Sequence, residues 1–376
     1  MTPIYLDNAA TTPLHAEVLE AMLPFLRGNF GNPSAIHSVG RKARTAVERS
    51  RKAIANALNA STGEIFFTSS ATEGNNMVLT CCIRDLEVEH LIVSPIEHHC
   101  VLHTAEHLAE CGKIKLHLVA VDEVGRVVPE SLEKKLSKIK GKTLVSIMNA
   151  NNEIGTINDI KTIGAICKQY GAYLHSDTVQ TFCHYPIDLQ ELDIDFMVGS
   201  AHKFHGPKGI GFLYINGDVK INPMILGGSQ ERNMRAGTEN VPGIIGMGKA
   251  VEIAQANMLE EQTYILGLKK YMKQQLIEKF DGIKFNGDVD GNSLYTVLNT
   301  SFPPHPKNDM LLINLDIAGI CASGGSACSS GVDAGSHVLN HLAVDTNRAN
   351  VRFSFSKYNT QAEIDIVVEK LGEILG

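Results

Sequence analysis

The residues with the clearest chemical potential form one short stretch, Gly199-Ser200-Ala201-His202-Lys203, continued by Phe204-His205-Gly206-Pro207-Lys208-Gly209. The run Asp193–Val198 before it reads as a strand, and Gly211–Ile215 after it reads as another. Lys203 therefore falls in a turn between two buried strands. Partial burial disfavours the charged ammonium, and a neutral amine can form a Schiff base with an aldehyde. Ser200 and His202 add polar groups suited to an anion such as phosphate. The three together are what a pyridoxal phosphate (PLP) lysine needs. An exposed loop lysine is the alternative for so short a motif.

Such a lysine has to be placed by a scaffold, and the pattern around it supplies one. Helical periodicity covers Ala16–Leu26 and Arg41–Leu58. Apolar strands are expected at Glu64–Thr68, His90–Ser94, Ile114–Val119, Thr143–Met148 and Ala172–Ser176. Helices are expected between them, from Ala71, at Cys100–Glu110, at Ser131–Ile139 and at Ile160–Tyr170. This alternation predicts a mostly parallel sheet covered by helices, whose ligands gather at the carboxyl ends of the strands.

Each strand end carries a candidate. Ser70-Ala71-Thr72 begins a helix and could hold a phosphate or be a plain N-cap. Glu97-His98-His99 offers an imidazole that could stack on a ring, shuttle a proton or serve structure alone. Asn149–Gly155 suits either ligand contact or turn chemistry. Asp177-Thr178-Val179-Gln180 ends a buried strand on a carboxylate, which could hold a protonated pyridine nitrogen or cap a helix. No one of these is specific. Their order along successive strand ends, with Lys203 last, favours a PLP site.

Beyond Val241 a long helical region runs to about Phe280. Weaker alternation follows, with strands at Leu294–Ser301, Ile320–Ala322 and Asn350–Phe355, and helices at Met310–Ile317 and Gln361–Leu375. This is consistent with a smaller α/β unit. Two features in it could do chemistry. Cys328 sits in a run of Ser, Gly and Ala from 322 to 331 that cannot build a core, so the thiol is expected to be accessible. Arg352 interrupts an apolar strand and could fork a substrate carboxylate or form an internal salt bridge.

Composition narrows the classes. With 376 residues the chain can hold more than one domain. A net charge of -7 without a long basic run argues against a nucleic-acid partner, and no apolar run is long enough to span a bilayer. With no signal-like start, a cytoplasmic location is expected. The eight cysteines form no C-x-x-C pair, so reduced thiols and no metal site are expected.

At this point the sequence resembles a known family. Tyr5–Pro13, Phe30-Gly31-Asn32-Pro33-Ser34, Asn151–Gly155, His202-Lys203 with Gly206–Gly209, Arg235-Ala236-Gly237-Thr238, Gly325-Ser326-Ala327-Cys328 and Val351-Arg352-Phe353-Ser354 are similar to the NifS/IscS-type cysteine desulfurases. These belong to the class V aminotransferases, and the likeness runs over essentially the whole chain. The loop around Cys328 resembles the long-loop subclass, group I.

The resemblance implies an α/β PLP-dependent transferase of aspartate aminotransferase fold type I. A large, mostly parallel sheet domain would cover 14–260, and a smaller α/β domain, 1–13 with 261–376, would carry the cysteine loop. It implies Lys203 as Schiff-base lysine and proton-transfer base, and His98 on the cofactor ring, aiding proton transfer. Asp177 would face the pyridine nitrogen and Gln180 the ring oxygen. Ala71, Thr72, Ser200 and His202 would hold the phosphate, with Thr238 from the other subunit of a homodimer. Asn152 and Arg352 would bind the substrate carboxylate, and Cys328 would accept the sulfur.

The implied reaction turns L-cysteine into L-alanine, leaving a persulfide on Cys328 for an acceptor protein in iron–sulfur cluster assembly or thiolation. A selenocysteine lyase, another PLP beta-eliminating enzyme, or a PLP-free sulfur carrier are the alternatives. Ser70 and Ala201 stand where the family usually has glycine, which bears on cofactor affinity. The chain also ends sooner after its closing helix than the IscS branch, so binding of an IscU-type scaffold is not carried over.

Overall fold

The computed structural model describes residues 3–324 and 335–376. The chain opens with β1 (Ile4–Tyr5), α1 (Ala16–Arg27) and α2 (Ser38–Ala57). Strands and helices then alternate as β2 (Ile65–Thr68), α3 (Ala71–Asp85), β3 (His90–Val93), α4 (His99–Glu110), β4 (Lys115–Leu118), α5 (Pro129–Leu136), β5 (Thr143–Ser146), α6 (Ile160–Gln169) and β6 (Tyr173–Asp177). Next come β7 (Phe196–Ser200), β8 (Gly211–Ile215) and the long α7 (Val241–Lys279).

These strands form one seven-stranded sheet in the order β2-β8-β7-β6-β5-β3-β4. β8 runs antiparallel to both β2 and β7, and every other pair is parallel. The expectation of a mostly parallel sheet holds. Its physical basis is burial on both faces: every residue of β2, β3 and β5 is buried, which is why these strands read as unbroken apolar runs. β4 lies at the sheet edge and is partly exposed, and it alternates Lys115 and His117 with leucines.

The C-terminal region adds β9 (Lys284–Asn286), β10 (Val297–Phe302), α8 (Leu311–Ile317), β11 (Ile320–Cys321), α9 (His337–His341), β12 (Ala349–Ser354) and α10 (Gln361–Leu375). β12, β10 and β9 form an antiparallel sheet, while β1 pairs with β11. Neither β9 nor α9 is expected from the sequence. Both are too short to show a period.

Two sets of buried side chains explain the role of α7. Its first half places Val241, Ile244, Met247 and Val251 in the core beneath the large sheet. Its second half places Ile265, Leu268, Met272 and Leu276 in a separate core with Leu6, Leu298, Phe353 and Leu371. At 1.5 Å per residue the helix is roughly 60 Å long, enough to serve both.

Candidate active site

The carboxyl ends of β2, β3, β5, β6 and β7 open on one cavity of about 250 Å³. Ala71, Thr72, His98, Asn152, Asp177, Gln180, Ser200, His202, Lys203 and Arg352 all line it. Ten of the twelve residues singled out by sequence therefore share one space. Thr238 does not: it is exposed, in a separate groove beside Arg235 and Ser69. Cys328 lies outside the described residues.

One corner suits a phosphate. Ser70 caps α3, its hydroxyl accepting the Glu73 N–H at 3.3 Å. The first N–H groups of a helix lack intrahelical acceptors, and with the helix dipole they form an anion site. β8 begins against this turn at Gly211. A Cβ there would stand 2.9 Å from the Ser70 carbonyl carbon and 3.0 Å from the Ala71 nitrogen, so the cradle closes only on glycine. His202 sits opposite with Nδ1 3.2 Å from Thr11 Oγ1. Burial, reinforced by Lys203, pushes its pKa down to about 4 and leaves the ring neutral.

The far end suits a ring nitrogen. Asp177 closes β6 and is buried. Its Oδ1 accepts from the Val179 N–H at 3.0 Å and its Oδ2 from Asn75 Nδ2 at 2.8 Å. A carboxylate oxygen can take a second donor, so capacity remains for a pyridinium N–H. Nearby, Glu97 is fully buried and takes the Met148 N–H on both oxygens. Burial pushes its pKa well above the carboxylate range, the Met148 N–H pulls the other way, and Asp177 adds to the rise.

Lys203 lies between these ends in a short turn that follows β7. Its Nζ donates to the carbonyls of Ala9 at 2.6 Å and Ala10 at 2.9 Å. Gln180 Nε2 donates to the same Ala9 oxygen at 3.1 Å. The N-terminal segment thus aims the lysine. Thr12 reinforces it, with both its N–H and its hydroxyl bonded to the His202 carbonyl at 2.9 Å.

The third wall comes from β12. Arg352 is 1 % exposed. One terminal nitrogen pairs with Asp7 Oδ1 at 2.7 Å, another donates to the Asn152 carbonyl at 3.1 Å, and Nε has no partner among the described residues. The salt-bridge reading of this arginine is thus present in the fold, and its side chain faces the cavity as well.

Residues 4–367 match the family described as aminotransferase class-V. A cysteine desulfurase IscS from Dictyoglomus turgidum (strain DSM 6724 / Z-1310) is 44% identical over 99% of this chain and 94% of its own length. The chain belongs to the class-V aminotransferases, among their NifS/IscS-type cysteine desulfurases. Solved structures agree. A NifS-like protein superposes with a TM-score of 0.91 at 38% identity, covering 100% of this chain and 99% of that one. SspA in complex with cysteine gives a TM-score of 0.82 at 32% identity, covering 95% of this chain and 100% of that one.

The cavity of this family member also contains side chains that the sequence did not single out as functional. Cys100 sits two residues after His98 and looked like an ordinary helix cysteine. Glu153 is buried, accepts from Ser336 Oγ, and is pushed up by burial. The His99 ring lies against those of His103 and His337 in tilted contacts, with centroids 4.6 and 4.5 Å apart. His337 is far away in sequence and gave no signal. Asp7, the partner of Arg352, stood in a quoted motif without a role.

Proposed function

We propose that the chain takes sulfur from L-cysteine, releases L-alanine and holds the sulfur as a persulfide on Cys328 before passing it to an acceptor protein in iron–sulfur cluster assembly or thiolation. The observation that carries this is the meeting of Lys203 and Asp177, on neighbouring strand ends, in one cavity. That SspA is solved with cysteine supports the substrate.

PLP fits the donor set. Ala71, Thr72, Ser200 and His202 would hold its phosphate, Asp177 its ring nitrogen, Gln180 its ring oxygen and His98 its face, with Lys203 as the covalent anchor. When bound, PLP supplies an aldehyde for amines and an electron-accepting ring. The protein residues do the rest. Arg352 and Asn152 bind and orient the substrate carboxylate. Lys203 is the base for the α proton, and Asp177 would face the ring nitrogen and favour its protonated form. The Cys328 thiolate attacks the substrate sulfur and a C–S bond breaks. Its electron pair stays with the carbon skeleton, which takes up a proton and leaves as alanine.

Thr238 is exposed and apart from the cavity of its own chain, which supports a homodimer in which each copy lends Thr238 to the other. The two separate cores support a division into 14–260 and 1–13 with 261–376. A cytoplasmic setting belongs to the same reading. No helix among the described residues is long and apolar enough to cross a membrane.

The test is product analysis with purified holoprotein, cysteine and a thiol reductant. Alanine and sulfide in equal amounts support the proposal. Pyruvate and ammonia in place of alanine would mean elimination and overturn it. Cys328→Ala is expected to stop sulfide release from cysteine while leaving cofactor binding intact.

A further inference from the structure

We propose that Asn75 and Cys100 are positioning residues for His98: they hold its ring as the neutral tautomer with the proton on Nε2, and they tie it to Asp177. The argument starts at a helix cap. His98 precedes α4, and its Nδ1 accepts the Cys100 backbone N–H at 3.2 Å. A backbone N–H can only donate, so Nδ1 carries a lone pair and the ring proton belongs on Nε2. Cys100 Sγ lies 3.0 Å from the same nitrogen. Burial pushes this thiol up to about 12, so the proton stays on sulfur and the thiol is a second donor into Nδ1.

The chain continues outward from the sulfur. Asn75 Nδ2 donates to Cys100 Sγ at 3.1 Å and to Asp177 Oδ2 at 2.8 Å. An amide nitrogen has two hydrogens, one for each. The opposite amide orientation would set an oxygen against the carboxylate. The carboxylate fixes the amide at one end and the backbone N–H fixes Nδ1 as an acceptor at the other; the Cys100 thiol between them also bonds the Thr72 side chain. Asn75 is 0 % exposed, and its Oδ1 is buried with no partner among the described residues. A buried amide with one end unsatisfied is costly, so the nitrogen end has a reason to be there.

A free neutral imidazole can carry its proton on either nitrogen. The lock leaves Nε2–H as the one donor His98 can offer. The other titratable groups around the ring are Asp177, which favours its charged form, and Lys203, His337, His103 and the neighbouring His99, which oppose it. Both donors into Nδ1 stabilise the unprotonated nitrogen, so removing one should make the ring easier to protonate.

The test uses full-length protein, with and without added PLP, with 15N in its histidine rings; His98→Gln assigns the signals. Wild type should show Nε2 protonated and Nδ1 bare. Cys100→Ala should raise the His98 titration midpoint by up to about one pH unit, the roughly tenfold that one neutral hydrogen bond is worth at most. Cysteine turnover should fall about two- to tenfold on the same basis. Cys100→Ser, which restores a donor, should recover both. If Cys100→Ala does not fold, Cys100→Met places a sulfur that cannot donate and reads the same shift. A proton on Nδ1 in wild type, an unmoved midpoint in Cys100→Ala, or no recovery in Cys100→Ser overturns the proposal. The kinetic arm rests on the desulfurase reading. If wild type itself makes no alanine, that reading fails, while the titration still decides the tautomer lock.

Discussion

Two arginines are buried in this protein, and they are buried differently. Arg51, on α2, forks Glu231 with contacts of 2.7 and 2.9 Å, donates to the Ile65 carbonyl at 2.8 Å and to Glu48 at 3.0 Å, and lies 4.7 Å over the Phe67 ring. Every guanidinium nitrogen is engaged, and Glu231 is further held by the Phe67 N–H at 2.7 Å. Among the described residues Arg352 has one carboxylate partner and one carbonyl, its Nε has none, and it lines the cavity. A fully satisfied guanidinium braces structure. One with capacity left over, next to open space, can receive a ligand. The same contrast separates His175, sealed inside β6, from His98 on the cavity wall.

The largest effect should come from the cavity side. Lys203→Ala removes the only group proposed to link covalently to PLP and to move the α proton. Alanine production from cysteine should fall to the background rate, and the visible absorbance of the holoprotein should be lost. Retention of near wild-type turnover would remove Lys203 from the chemistry.

On the remote side the effect should be on stability. Glu231→Ala leaves Arg51 buried with the exposed Glu48 as its one charged partner among the described residues, and removing one member of a buried pair costs about 3–5 kcal/mol. Chemical denaturation should show a loss of this size. KM for cysteine, measured on the folded fraction, should stay put. A rise in KM as large as that from Arg352→Ala would erase the contrast between the two arginines.

His175 tests the contrast through pH. It is 0 % exposed, with Nδ1 2.8 Å from Ser146 Oγ and Nε2 without a partner among the described residues. Burial pushes its pKa from 6.5 down to about 4, with Asp177 pulling the other way. Above the ordinary value both folded and unfolded chains carry it neutral. Below it the unfolded chain takes the proton first, so stability falls as pH drops from about 6.5 toward 4, by up to roughly 3 kcal/mol from this group. Urea midpoints at pH 7 and pH 5 should converge in His175→Asn relative to wild type. An unchanged difference would show that His175 does not set the acid limit.

Much of this site was legible because parallel strands are apolar runs and ligands collect at their ends. His98, Asp177 and Lys203 each lie at or within a few residues of the end of such a run, so reading the short segment after each strand finds them. What was hidden depends on distance or on length. Arg352 and Asp7 are 345 residues apart, and no local pattern joins them. β9 and α9 are too short for a period, so His337 arrived unannounced. Asn75 sits one turn into α3 and reads as helix interior. Its contact with Asp177 spans 102 residues.

Arg352 gives the finest test, because two readings of it coexist. If its free capacity serves a substrate carboxylate, Arg352→Ala removes a charge-assisted interaction of about 1.5–3 kcal/mol, or about ten- to a hundredfold in KM for cysteine. The same change strips Asp7 of its partner, so a loss of stability is expected alongside and cannot discriminate. Two further variants can. Asp7→Asn breaks the ion pair and leaves the guanidinium in place, so KM should change far less than in Arg352→Ala. Arg352→Lys keeps the charge but not the planar fork, so KM should rise, with kcat less affected. Binding of alanine, the proposed product, offers the same comparison without turnover. If Asp7→Asn weakens cysteine and alanine binding as much as Arg352→Ala does, the arginine acts only through its salt bridge, and the two arginines of this protein are alike after all.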